Sequence, residues 1–109
     1  EGSDGDDFID PIDKTKSYTL IGKGGDDSLV GGNFRDILIG GEGDDSLEGG
    51  PCNDTLDGGP GDDVLMGGQD KDEVIGGPGR DTMYSDDGDD FVDYDTNEDE
   101  IVHKQAPTP

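Results

Sequence analysis

The chain is poor in almost everything that builds an ordinary globular core. Of its 109 residues only 21 are Leu, Ile, Val or Phe, just under a fifth. That share, beside a formal net charge of -23, belongs to chains that bury too little apolar surface to offset the entropy of ordering. Basic residues are scarce, 7 Lys and Arg against 30 Asp and Glu. A surface so acidic repels nucleic acid and anionic membranes and makes a cation its natural counterpart. No run of about 18 apolar residues occurs, so no membrane insertion is expected, and no signal peptide is visible. The chain begins at Glu1 rather than Met, as a mature product or an excised piece does. The single cysteine, Cys52, rules out an internal disulfide. The single histidine, His103, has no nucleophile pattern near it and reads as a surface residue rather than a base or metal ligand. No enzyme is expected.

What the chain does have is a period. From Gly22 to Asp93 one nine-residue pattern runs eight times without insertion or deletion: GKGGDDSLV, GGNFRDILI, GGEGDDSLE, GGPCNDTLD, GGPGDDVLM, GGQDKDEVI, GGPGRDTMY and SDDGDDFVD. The sixth column is Asp27, Asp36, Asp45, Asp54, Asp63, Asp72, Asp81 and Asp90, and the eighth is Leu29, Leu38, Leu47, Leu56, Leu65, Val74, Met83 and Val92. An acidic disordered tail, the reading that composition suggests, has no reason to hold such a register. Repetition at a fixed short period is the mark of a solenoid.

The first six residues of each block are turn chemistry, with Gly in the first, second and fourth columns where positive φ or close backbone approach is wanted. The last three alternate as a strand that sends its middle side chain inward. Abundant Gly and the lack of a 3.6-residue period exclude helix. A three-residue strand is not stable alone, so the blocks must stack. With two blocks per turn, every second strand pairs in parallel, and the expected fold is an all-β flattened solenoid of two sheets. Leu29, Leu47, Leu65 and Met83 then face Leu38, Leu56, Val74 and Val92.

The same geometry stacks the turns about 4.8 Å apart. Asp27, Asp45, Asp63, Asp81 and Asp99 line one edge, and Asp36, Asp54, Asp72 and Asp90 the other. Columns of carboxylates repel unless a cation lies between them. A hard divalent ion taking six to eight oxygens at roughly 2.3 to 2.6 Å can draw them from Asp and turn carbonyls. Calcium suits such loose loops better than magnesium with its strict octahedron. Paired carboxylates also serve glycosidases, but those need two different environments in a cleft. Ice binding would want a regular outward Thr array, which Thr19, Thr55 and Thr82 do not form.

These blocks resemble the glycine- and aspartate-rich nonapeptide of the RTX (repeats-in-toxin) family, G-G-x-G-x-D-x-U-x. The resemblance covers Gly22 to Asp93 and a separate copy, Gly2 to Asp10, with Asp7 and Ile9 in the two key columns. It implies a right-handed parallel β-roll in which sixth-column Asp residues of successive loops on one edge share an ion and Gly-column carbonyls complete the ligand set. It further implies a chain that is disordered without calcium and folds on secretion. Adjacent loop pairs give four sites on the Asp27 edge and three on the Asp36 edge. About seven calcium ions would bring the charge from -23 to roughly -9.

Several positions depart from the pattern. Phe34, Cys52 and Asp70 replace the fourth-column Gly, Lys23, Ser85 and Asp86 disturb the first two columns, and the loop of Asp99 has no Gly. Weaker ion binding is expected around Phe34, Asp70 and Asp99. Arg35, Lys71 and Arg80 in the fifth column are expected to face solvent. Cys52 reads as a small residue filling a turn position. Outward strand positions such as Ile37, Ile39, Val64 and Met66 are more apolar than a lone monomer needs.

The expected division is an N-terminal repeat and capping strand over 1–21, in which Tyr18 stands where Asp should be, the repeat array over 22–93, a degenerate closing repeat over 94–102 and a tail over 103–109. The function expected is that of an extracellular, calcium-folded structural protein, with head-to-tail stacking into filaments through its open ends. The alternative is a calcium-dependent folding and secretion module of a larger adhesin, toxin or protease.

Overall fold

Three-residue strands with one apolar side chain each become stable only by stacking, and this is how the chain is built. A computed structural model describes Gly2 and residues 5–10, 15–68, 71–85, 90–92 and 100–103, with 85, 90–92 and 100–103 described by their backbone alone. Among the described residues there are eleven short strands and no helix: β1 (Phe8–Ile9), β2 (Thr19–Ile21), β3 (Ser28–Val30), β4 (Ile37–Ile39), β5 (Ser46–Glu48), β6 (Thr55–Asp57), β7 (Val64–Met66), β8 (Glu73–Ile75), β9 (Thr82–Ser85), β10 (Asp90–Val92) and β11 (Glu100–His103). Successive strands go to opposite sheets. One sheet has the order β1-β3-β5-β7-β9-β11 and the other β10-β8-β6-β4-β2. All pairings are parallel, in the β-roll arrangement expected from two blocks per turn.

The middle residue of each strand supplies the core. Leu29, Leu47, Leu65 and Met83 stack in one sheet, and Leu20, Leu38, Leu56 and Val74 in the other. All eight are buried, seven of them at 0 % exposure. Such parallel stacking leaves each side chain in contact with its own kind above and below, so eight residues make one continuous core. Ile9 and Tyr18 pack against it from the N-terminal side.

Backbone pairing extends beyond the three strand residues. Ser46 donates its N–H to the Asp27 carbonyl at 2.8 Å, and Gly40 to the Asp57 carbonyl at 2.8 Å. These bonds carry the ladder into the sixth and first columns, so the turns are tied together next to the aspartates. The first-column glycine is required by packing. A Cβ on Gly40 would stand 2.6 Å from the Asp45 carboxylate and 2.8 Å from the Gly58 carbonyl oxygen. The fourth-column glycine is required by conformation. Gly43 has φ 107, and a Cβ there would collide with the Gly25 carbonyl.

One register differs from expectation. Val92 was expected inward, yet β10 pairs Phe91 with Val74 and Val92 with Ile75. The cause lies one connection earlier. Ser85 replaces the first-column glycine and stays in β9, paired with His103, which leaves four residues before β10 instead of the six that separate β3 from β4. The slip is local, because β11 again pairs Ile101 with Met83 at the expected spacing.

Truncating a core residue tests this packing. Leu56→Ala is expected to cost about 2–5 kcal/mol, read as a lowered urea midpoint in saturating calcium. A loss under about 1 kcal/mol would mean that the column is not a packed core.

Candidate metal centre

Each sixth-column aspartate ends a turn and precedes a strand, so the sheet ladder fixes where its side chain goes. Asp27, Asp36, Asp45, Asp54, Asp63, Asp72 and Asp81 are all buried, at 0–2 % exposure. Burying so many carboxylates is costly unless each is hydrogen-bonded and its charge is balanced. Half of that requirement is met by the backbone. The N–H of Asp27 donates to Oδ1 of Asp45 at 2.8 Å, Asp45 to Asp63 at 2.8 Å, and Asp63 to Asp81 at 2.9 Å. On the other edge Asp36 donates to Asp54 at 2.7 Å and Asp54 to Asp72 at 2.7 Å. Each carboxylate thus reaches back one turn.

The second oxygen is another matter. Oδ2 of Asp27, Asp45 and Asp63 is buried with no hydrogen-bond partner. Beside this row runs a groove lined by Lys23, Gly24, Gly25, Gly41, Glu42 and Gly43, in which the carbonyl oxygens of Lys23 and Gly25 lie against Gly41 and Gly43 of the next turn. Among the described residues no three His, Cys, Asp or Glu side chains converge. A cation here would therefore draw on carboxylates of stacked turns and on backbone carbonyls. Orphaned anionic oxygens next to turn carbonyls are the donor set of a hard divalent ion.

The positions expected as ligands divide as follows. Asp7, Asp27, Asp45, Asp63 and Asp81 form one edge, with the Asp7 N–H donating to Oδ1 of Asp27 at 2.8 Å. Asp36, Asp54 and Asp72 form the other. There Tyr18 takes the place of an aspartate at the head of the column, and its N–H donates to Oδ1 of Asp36 at 2.8 Å. Asp90 lies in β10 opposite Glu73, one position along from the column that Asp72 occupies. Asp99 and Asp70 lie outside the described residues. Arg35, Lys71 and Arg80 are exposed, in agreement with a solvent-facing fifth column.

Sequence reasoning missed a second ladder. The Asp44 N–H donates to Oδ1 of Asp26, Asp62 to Asp44, each at 2.8 Å, and Asp26 to Asp6 at 2.7 Å. These fifth-column aspartates are exposed and reach forward one turn, opposite in sense to the buried row. The signal was the Asp-Asp pair at 6–7, 26–27, 44–45 and 62–63, which within the array falls in the first, third and fifth blocks and again at 89–90 in the eighth.

Without an ion, burial pushes the carboxyls of Asp27, Asp45 and Asp63 up from 3.8. Asp27 is raised, Asp45 reaches about 6 and Asp63 about 8. Desolvation is the largest cause in each, opposed by the backbone hydrogen bond and helped by neighbouring aspartates. Each of these three carboxyls also has a buried oxygen that no donor reaches, so the titration and the hydrogen-bond pattern agree that negative charge in the row lacks compensation.

This is an acid-edged parallel β-solenoid, a scaffold for stacking cations between turns. Residues 19–33, 30–65 and 66–101 match the sequence profile of the RTX calcium-binding nonapeptide repeat, and the chain belongs to that family. It is a calcium-binding repeat protein. No curated protein and no solved structure matches the chain. Among the described residues no helix is long and apolar enough to cross a membrane.

The raised carboxyls predict an unusual pH response. A folded pKa above the unfolded value means that the folded chain holds more protons. The metal-free roll is then most stable below pH 3.8 and loses stability as pH rises through about 6 and about 8. In chelator, strand content by circular dichroism should rise as pH falls from about 8 to about 5. In saturating calcium the trend should reverse, since protons compete with the ion. An unchanged metal-free spectrum would show that carboxylate burial is not what opposes folding.

Proposed function

We propose that this is a secreted, extracellular structural protein whose folding is driven by calcium, and that the sixth-column carboxylates hold the ions. The observation that carries the reading is the row of buried Oδ2 atoms on Asp27, Asp45 and Asp63 that no protein donor reaches. Each ion would supply positive charge between two stacked turns. Asp7, Asp27, Asp36, Asp45, Asp54, Asp63, Asp72, Asp81, Asp90 and Asp99 are the proposed ligands, for about seven ions in all.

The division of labour follows from the turns. The sheet ladder holds Asp27 and Asp45 at the strand entrances, and backbone N–H groups orient one oxygen of each carboxylate. Glycines such as Gly40 keep side chains out of the space between turns. Because the folded turns present this donor set and the unfolded chain does not, calcium stabilises the folded form by mass action. The millimolar calcium of extracellular fluid is where such weak, additive sites would fill, which supports the secreted location. The described residues are given over to a packed core and a ligand-holding edge, which supports a structural role.

The ends of the roll support assembly. All strands run parallel, and β1 and β11 lie at opposite edges of one sheet, so one copy can extend the sheet of the next in the same sense. Such a head-to-tail contact is heterologous and gives filaments. Charge opposes it until calcium lowers the formal -23.

A calcium titration followed by far-ultraviolet circular dichroism and light scattering, with magnesium as control, tests both parts. A cooperative, calcium-specific gain of strand signal with scattering that rises and reverses in chelator is the expected result. A chain that stays unstructured through millimolar calcium refutes calcium-driven folding. A roll that folds but remains a monodisperse monomer refutes the filament and favours a folding and secretion module.

A further inference from the structure

The departures from the repeat are not spread evenly. Two blocks per turn send alternate blocks to opposite edges, and the three blocks that lose the fourth-column glycine, at Phe34, Cys52 and Asp70, fall together. On the edge of Asp27 the fourth column is Gly25, Gly43, Gly61 and Gly79, each with positive φ, and the fifth is Asp26, Asp44 and Asp62 before Arg80. On the edge of Asp36 the described fourth-column residues are Phe34 and Cys52, and the fifth column is Arg35, Asn53 and Lys71.

The turn from Gly31 to Asp36 shows what this does. It contains no residue with positive φ, whereas the turn from Gly40 to Asp45 has two, Gly41 and Gly43. A bulky Phe34 resists the left-handed conformation that a fourth-column glycine adopts freely, and the loop takes another path. On that path the Gly32 N–H turns inward and donates to Oδ2 of Asp36 at 2.7 Å, while Tyr18 serves Oδ1. Both oxygens are therefore bound by backbone donors. The Gly32 N–H is the added donor, since at Asp45 and Asp63 only Oδ1 is bound and Oδ2 is left without one.

The far end of this edge is altered as well. Asp90 is in strand register with Glu73, so it does not stack on Asp72 as Asp72 stacks on Asp54. Of the three pairs available on this edge, only Asp54 with Asp72 keeps the repeating geometry. The Asp27 edge keeps four described pairs, Asp7 with Asp27, Asp27 with Asp45, Asp45 with Asp63, and Asp63 with Asp81.

We propose that the roll is calcium-bound mainly along one edge, and that the turn around Asp36 closes without an ion because its own backbone saturates the carboxylate. This deepens the proposed function and rests on its assignment of sixth-column carboxylates as ligands, but it takes Asp36 and Asp90 out of that set and brings the ion count below the seven of a regular array. Arg35 and Lys71 flank the ion-poor edge and do there, through space, part of what calcium does on the other. The consequence is a molecule with one edge that depends on calcium along its length and another that depends on it only at the pair of Asp54 and Asp72.

The test is a count of bound calcium per folded chain by native mass spectrometry of the full chain in calcium, with circular dichroism confirming the fold of each variant. Asp36→Asn is expected to keep the wild-type count and Asp45→Asn to lose at least one ion. The double substitution Phe34→Gly with Arg35→Asp, which restores the pattern of the opposite edge, is expected to gain one. Equal losses from Asp36→Asn and Asp45→Asn would overturn the edge assignment alone. An unchanged count in the double variant would overturn the role given to Phe34 and Arg35. A wild-type chain with no bound calcium would overturn the ligand assignment and this proposal with it.

Discussion

Everything in this molecule depends on the stacking of one carboxylate on the next at the spacing of parallel strands. A turn of 18 residues brings each residue over its counterpart, about 4.8 Å away. For leucine that is favourable, since apolar side chains gain by meeting their own kind. For aspartate it is unfavourable, and the structure meets the cost in two ways. A backbone N–H from the preceding turn satisfies one oxygen of each buried carboxylate, and at Asp27, Asp45 and Asp63 the other is buried without a donor, where the proposed ion would stand.

The two columns constrain each other. The leucine ladder sets the height of a turn and the aspartate sits two residues before it, so the carboxylates cannot separate without breaking the core. Conversely a core of eight buried residues in two columns is too modest to hold a chain of charge -23 against self-repulsion. On the proposed reading neither part is stable alone, and the ion couples them. On that reading composition, which suggests disorder, and periodicity, which suggests a fold, each describe the chain under different conditions.

Much of the fold was legible in single residues. Leu29, Leu47 and Leu65 recur at 18-residue spacing through alternate blocks, and they pair as neighbours in one sheet. The aspartates that stack at the edges were equally plain, because a fixed period in sequence becomes a fixed translation in space. Three features were not legible. The outer ladder of Asp26, Asp44 and Asp62 depends on side chains reaching along the stack, which spacing does not reveal. The slip that places Phe91 opposite Val74 follows from Ser85 remaining in its strand. The inward turn of the Gly32 N–H follows from a loop finding an alternative path around Phe34.

The sequence by itself determined the architecture, the core column and the columns of acidic groups, because a strict repeat leaves only one way to stack. Tertiary structure alone decided which carboxylates would be saturated by protein and which would be left for an ion. That choice turns on the direction of individual peptide N–H bonds, and their direction is set by backbone dihedrals in neighbouring turns. At Asp45 those turns leave one oxygen without a donor, and at Asp36 they supply a donor to both.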